Sequence, residues 1–306
     1  MKMKVLRRTV AFILFPLTIF QKFKELNELK RLQPKGVFSV TGKHRVHVNI
    51  QGAGKQTVVF DSGLGSFSLE WEYIQQALAD NATTISYDRA GYGWSGKNLG
   101  AGTSIEIVED LRNSLNQLGV KPPYILVGHS FGGLNMRLYA QLYPNEVSSL
   151  LLIDSTNEYR FLPEYMDDER QRQFKRTLKE YKLGYILSVL GVTRLIKRPV
   201  WNKRLPSRYI SLGYRTDAYE AIYKEYLSMK SSCYTVNNKT IDSSIPICIL
   251  SAGKMNESWR SDQLKLKNIS ENCRHIVIED SFHNIHLEKP NEVIKTIKEL
   301  MDCISK

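Results

Sequence analysis

The residues with the clearest capacity for chemistry are Gly128-His129-Ser130-Phe131-Gly132. They follow the apolar run Tyr124-Ile125-Leu126-Val127 and precede a stretch with Leu134, Leu138 and Leu142 at helical spacing. A buried strand, a tight turn and a helix are therefore predicted in direct succession. Glycines on both sides of the serine admit a turn in which side chains would clash, and the turn holds the Ser130 hydroxyl out over the sheet edge. The helix N-terminus faces the same spot and favours developing negative charge. This makes Ser130 a candidate nucleophile, but a serine hydroxyl attacks only after a base takes its proton. The chain has six histidines: His44, His47, His129, His275, His283 and His286. His44 and His47 precede the central strands and are expected on the surface. His129 lies inside the turn, badly placed to reach its neighbour's hydroxyl. His275 opens the last strand, and His283 lies in the loop after it.

The elements that must position these groups alternate strand and helix. Strands are predicted at Val46–Ile50, Val58–Phe60, Thr84–Tyr87, Tyr124–Val127, Leu150–Ile153, Ile247–Leu250 and Ile276–Ile278. The second runs into the glycine-rich Asp61-Ser62-Gly63-Leu64-Gly65. Leu69 to Asp80 reads as a helix. Thr103 and Glu106 form a capping box for another, whose apolar residues Val108, Leu111, Leu115 and Leu118 share one face. A last helix starts near Pro290, with Val293, Ile294, Ile297, Leu300, Met301 and Ile304 on one side. Short continuous apolar strands between helices imply a mostly parallel sheet covered on both faces. The gap between Ile153 and Ile247 is too long for one loop. It divides the chain into an N-terminal segment (1–35), a first core part (36–156), an inserted helical cap (157–240) and a second core part (241–306).

At the strand–Gly128-His129-Ser130-Phe131-Gly132–helix unit the chain resembles the α/β-hydrolase superfamily, over roughly residues 36–305. The resemblance implies the α/β-hydrolase fold and a serine hydrolase with Ser130 as nucleophile. Asp88-Arg89-Ala90-Gly91-Tyr92-Gly93-Trp94-Ser95 resembles that family's D-x-x-G-x-G-x-S loop, which shapes the sheet edge and pocket. His283-Asn284-Ile285-His286-Leu287-Glu288-Lys289-Pro290 resembles its H-x-x-x-x-E-x-P pattern, and this selects His283 over His286 as the base. The oxyanion hole needs two backbone N–H donors. The resemblance gives them as Phe131, after the nucleophile, and Leu64, in the loop where the family often has His-Gly and this chain has Ser62-Gly63. The family usually places its acid in a G-x-x-D setting after the penultimate strand. The matching stretch here is Gly253-Lys254-Met255-Asn256, followed by Glu257. Some hydrolases of this fold carry the acid one strand earlier, where this chain has Asp154. Asp154 is the expected triad acid, with Glu257 and Asn256 as alternatives. Members of the fold that act on epoxides or haloalkanes have Asp at the elbow, where Ser130 stands here.

A carboxylic ester, with a lipid-like or acyl moiety, is the expected small-molecule substrate. An aminopeptidase-type amide hydrolase and a lactonase would use the same triad. A non-catalytic binding protein on the same fold is the reading from a different class. No metal is expected, because the sequence shows no ligand cluster, and no cofactor, because no G-x-G-x-x-G follows the first strand.

Composition agrees with a globular rather than a disordered chain. The 306 residues are 42% apolar and 24% charged, and the four cysteines are too scattered for a disulfide framework or a zinc module. The net charge of +12 is unevenly placed: residues 1–35 carry +7 and residues 157–240 carry +8, leaving a mildly acidic core. The second segment also holds ten of the sixteen tyrosines. Basic, aromatic composition suits a membrane interface, and no nucleic-acid-binding motif accompanies it. Lys2, Lys4, Arg7 and Arg8 precede an uncharged stretch from Thr9 to Gln21. Thirteen helical residues span about 20 Å, short of the roughly 30 Å hydrocarbon core, and Pro16 weakens a straight span. The expectation is an uncleaved membrane-surface anchor. A signal peptide, giving a secreted protein, and a helix that merely covers the domain are the alternatives.

Overall fold

The computed structural model describes residues 2–42, 44–196 and 202–304, with side chains from residue 15 onward. Among the described residues, eight strands form one sheet: β1 (Val37–Val40), β2 (Arg45–Gln51), β3 (Gln56–Asp61), β4 (Ala82–Asp88), β5 (Tyr124–His129), β6 (Val147–Ile153), β7 (Ile247–Ala252) and β8 (Cys273–Ile278). Their order is β1-β2-β4-β3-β5-β6-β7-β8. The β1–β2 and β2–β4 pairs are antiparallel, and every later pair is parallel. The helices are α1 (Lys2–Arg31), α2 (Glu72–Leu78), α3 (Ser104–Gln117), α4 (Phe131–Leu142), α5 (Asp168–Val189), α6 (Ser207–Gly213), α7 (Thr216–Leu227), α8 (Met229–Asn237), α9 (Glu257–Lys265), α10 (Ile285–Glu288) and α11 (Pro290–Ile304).

The continuous apolar strands are continuous because both faces are covered. Val59, Leu126, Leu150, Leu152 and Ile249 pack on one side with residues of α3, α4 and α8. Their sequence neighbours Val58, Phe60, Ile125, Val127, Leu151 and Leu250 pack on the other with α2 and α11. Alternate side chains of a strand point to opposite faces, so each strand contributes to both cores. The capping box at Thr103 and Glu106 is formed, and it starts α3.

Parallel pairing brings the carboxyl ends of the central strands to one edge. Asp61 stands opposite Gly128, His129 opposite Ile153, and Ile153 opposite Leu250. The loops leaving β3, β5 and β6 thus converge, as open α/β sheets require of a ligand crevice. Residues between β6 and β7 contribute α5–α8 above this edge. Ile222 of α7 lies against Gly65, Ala221 against Gly91, and Tyr209 of α6 stacks on Phe67.

At the N-terminus the helix is longer than its apolar run. It continues through Lys22 to Arg31, with Pro16 inside it. The polar half contains no helix breaker, and its Gln21 and Glu25 are buried against residues 214–216.

Candidate active site

Ser130 is the residue between β5 and α4. Its backbone is left-handed, with φ 53° and ψ −119°. This conformation costs about 1–3 kcal/mol for a residue with a Cβ, and the surroundings impose it. The Ser130 amide donates to the carbonyl of Ile153, and its carbonyl accepts from Gly133 and Thr156. Gly128 and Gly132 are required by contact: a Cβ on Gly128 would sit 2.6 Å from the Gly132 carbonyl oxygen, and one on Gly132 would strike the backbone of Asp61 and Ser62.

His283 follows β8 and brings Nε2 to 3.0 Å from the Ser130 hydroxyl oxygen. Its Nδ1 lies 2.6 Å from Oδ2 of Asp154. Asp154 is fully buried and also left-handed, with φ 42°. Its Oδ1 accepts the Ala252 amide at 3.0 Å, and its Oδ2 also accepts the Trp259 indole N–H at 2.8 Å. With donors converging on both oxygens, the carboxylate acts as an acceptor from His283. The imidazole proton therefore belongs on Nδ1, and the Nε2 lone pair faces the serine hydroxyl.

The alternatives for the acid lie elsewhere. Glu257 is exposed at the start of α9, and Asn256 caps that helix by accepting from the Trp259 amide. His286 is buried below the elbow, its Nε2 3.3 Å from Glu70 and its ring against Trp71. The H-x-x-x-x-E-x-P resemblance has a physical basis here: Glu288 accepts from the Phe282 amide and the Ser281 hydroxyl, fixing the chain just before His283.

His47 departs from the expected surface position. It is buried, with Nδ1 2.8 Å from Asp88 and Nε2 2.7 Å from the Lys35 carbonyl. Burial lowers its pKa, but the charge of Asp88 and the hydrogen bonds outweigh this and hold it above the ordinary histidine value. His44 is also largely covered and pairs with Asp110 at 3.0 Å. Both belong to the packing of β2 and its turn, which a local reading of the sequence does not contain.

The loop after β3, which carries Leu64, is held by Arg89 of the stretch that resembles D-x-x-G-x-G-x-S. Arg89 is buried and donates to the carbonyls of Ser62 at 2.6 Å and Gly63 at 2.9 Å. The same guanidinium binds Asp61 at 2.7 Å and Glu225 of α7 at 2.8 Å. Asn135 completes Asp61, and the Tyr92 hydroxyl completes Glu225. Burial alone would pull Arg89 down, but the two carboxylates hold its pKa well above the ordinary arginine value, so it remains a cation. In a trans peptide the C=O and the next N–H point in opposite directions. Holding the Gly63 carbonyl on Arg89 therefore turns the Leu64 N–H away from it. A Cβ on Gly63 would lie 3.2 Å from the Ser130 Cβ, so this peptide adjoins Ser130. Phe131 is the first residue of α4, so its backbone N–H lies at the positive end of that helix.

The fold also assembles a grouping that sequence spacing does not reveal. Among the described residues, Glu70, His129 and His286 bring a carboxylate and two imidazoles within 4.8 Å of one another, all buried. Their contacts are those of packing. His129 Nε2 lies 3.0 Å from the His283 carbonyl oxygen, and the His129 and His286 rings lie against each other at 4.3 Å. Glu70 also accepts from the hydroxyls of Ser66 and Tyr209. Burial, then the neighbouring His286 and His283, press the His129 pKa well below the ordinary histidine value. A cavity of about 230 Å³ lined by Tyr87, Arg89, Asn98 and Glu225 lies behind the Arg89 cluster and touches none of Ser130, Asp154 and His283.

The sheet order, the elbow and the loops at its edge are those of an α/β hydrolase. The chain belongs to this family: the family model described as alpha/beta hydrolase fold matches residues 56–290. It is similar to YqjL of Bacillus subtilis (strain 168), 26% identical over 250 residues, covering 78% of this chain and 83% of that protein. YbdG of the same organism is 25% identical over 309 residues, covering 92% of this chain and 90% of that one. Among solved structures, an epoxide hydrolase of Bacillus megaterium superposes with a TM-score of 0.68 at 18% identity, over 87% of this chain and 100% of that one. That likeness is one of fold.

Proposed function

We propose that this α/β hydrolase is a serine hydrolase that cleaves a carboxylic ester through an acyl-enzyme on Ser130. The observation that carries this reading is the unbroken relay from Asp154 through His283 to Ser130, at 2.6 and 3.0 Å. His283 takes the hydroxyl proton as Ser130 attacks the ester carbonyl, and Asp154 stabilises the resulting imidazolium. The Leu64 and Phe131 N–H groups hold the tetrahedral oxyanion. His283 then delivers its proton to the leaving alcohol. Water, deprotonated by the same imidazole, attacks the acyl-enzyme and releases the acid.

A serine at the elbow distinguishes this chain from members of the fold with an elbow aspartate. The tyrosine-rich cap supports an acyl-chain or lipid-like substrate. The test is labelling with a fluorophosphonate, followed by peptide mapping. One adduct on Ser130, lost in Ser130→Ala and in His283→Ala, supports the reading. A folded wild-type protein that takes no label overturns it.

A further inference from the structure

One face of α1 is locked onto the cap. Gln21 donates to the Tyr214 carbonyl at 2.9 Å, and Glu25 accepts the Thr216 amide. Arg194 donates to Gln21 at 2.7 Å and grips both oxygens of Glu28 at 2.8 and 2.7 Å. Gly191 lies so close to the Leu17 carbonyl that a Cβ would collide with it. The helix is thus part of the cap surface from Leu17 to Glu28.

Among the described residues the opposite face has no such cover. Phe15, Ile19, Phe23 and Leu26 recur at spacings of four, four and three, which is one stripe of a helix. Beside it, the C-terminal half of α5 exposes Leu183 and Ile186, and Leu195 follows. Each of these seven side chains is between 45% and 68% exposed. Cations surround the apolar centre. Lys22, Lys24 and Lys30 are exposed on α1, and Lys175, Lys179 and Lys182 on α5. The acids of residues 15–31 are Glu25 and Glu28: Glu25 accepts the Thr216 amide and pairs with Lys22 at 3.7 Å, and Glu28 is gripped by Arg194. On α5 Glu180 is paired with Arg176, and the other acids, Asp168 and Glu169, lie in its first turn, away from Leu183 and Ile186.

We propose that this joint surface of α1, α5 and Leu195 docks onto an anionic lipid bilayer. An apolar stripe within a basic rim matches a headgroup layer above acyl chains. A second copy of the chain would set two positive faces against each other. No described helix is long and apolar enough to cross a membrane. This goes beyond a free N-terminal anchor: because α1 is fixed to the cap, the cap is held at the lipid surface with it. The inference does not depend on the ester reading.

Vesicle flotation of the full chain tests it, with phosphatidylcholine vesicles and vesicles containing about one-third phosphatidylglycerol. The wild type should float with the anionic vesicles, and 0.5 M salt should weaken binding about tenfold through screening. Ile19→Glu/Phe23→Glu on α1 and Leu183→Glu/Ile186→Glu on α5 should each lower the bound fraction by about tenfold. Both pairs are exposed, and unchanged thermal midpoints show that the variants fold. Wild-type protein that stays unbound to both vesicles overturns the proposal. So does an α5 variant that binds like wild type, which would leave α1 as the whole anchor. A dimer in light scattering, lost in the same variants, would reassign the face to a second copy.

Discussion

Asp154 uses both carboxylate oxygens. Oδ1 is tied to the Ala252 amide, and Oδ2 receives both the Trp259 indole and the His283 imidazole. The carboxylate cannot rotate without breaking these bonds, so the imidazole it orients is fixed as well. Asp154→Asn should lower kcat by about 10³–10⁴-fold, because an amide can present N–H to the imidazole and favour the wrong tautomer. Glu257→Gln should leave kcat unchanged, since that side chain is exposed on α9. Steady-state kinetics on one soluble ester compares the two, and the reverse ranking would remove Asp154 from the relay. Ser130 was legible in the sequence because its evidence is local: five residues, a strand before and a helix after. The acid was less so. The stretch at the family's usual place ends in Asn256, and only the pairing of β6 with β7 puts Asp154 beside the His283 loop.

At the scale of elements, Arg89 joins the end of β4 to the loop after β3 and to α7. Its bonds reach residues 61–63 and residue 225, which lie far apart in the chain, so no spacing in the sequence announces them. The D-x-x-G-x-G-x-S resemblance located this loop, and its Asp88 does hold the turn through the Ser68 and Trp94 amides. The grip of Arg89 on two successive carbonyls was beyond it. Arg89→Lys keeps the charge but loses the planar fork. It should lower kcat by about 10²-fold with KM little changed, as expected when one oxyanion donor is misaligned. Affinity for a trifluoromethyl ketone should fall in parallel with kcat/KM. A change confined to KM, with analogue affinity intact, would mean that Arg89 only shapes the substrate pocket. The same non-local logic separates His47 from its expected surface position: it became a buried partner of Asp88 once β2 paired with β4.

For the whole molecule, two buried histidines link stability to pH with opposite signs. His129 titrates well below its ordinary value. Below about pH 6.5 the unfolded chain binds a proton there that the folded chain refuses, so this group removes stability as pH falls. His47 is raised, so its contribution is complete below about pH 6.5 and is lost as pH rises through its folded value. Replacing His129 with Gln keeps a donor toward the His283 carbonyl and removes the titration. The thermal midpoint should then fall less between pH 7.5 and pH 5 than in the wild type. An equal or larger fall would place the acid sensitivity elsewhere. Seven of the eight described strands and both helical layers were readable from apolar runs, whose periodicity is a property of the chain; β1, four residues at the antiparallel edge, was not. The buried cluster of Glu70, His129 and His286 was not, since it forms only when the end of β5 meets the segments that follow β3 and β8.

The central claim is that Ser130 is an activated nucleophile toward esters. Hydrolysis of p-nitrophenyl esters from acetate to palmitate, with wild type beside Ser130→Ala, tests it most directly. The account predicts turnover by the wild type, a preferred chain length set by the space under the cap, and loss of that turnover by at least about 10³-fold in the variant. Equal turnover by a folded Ser130→Ala protein would contradict it.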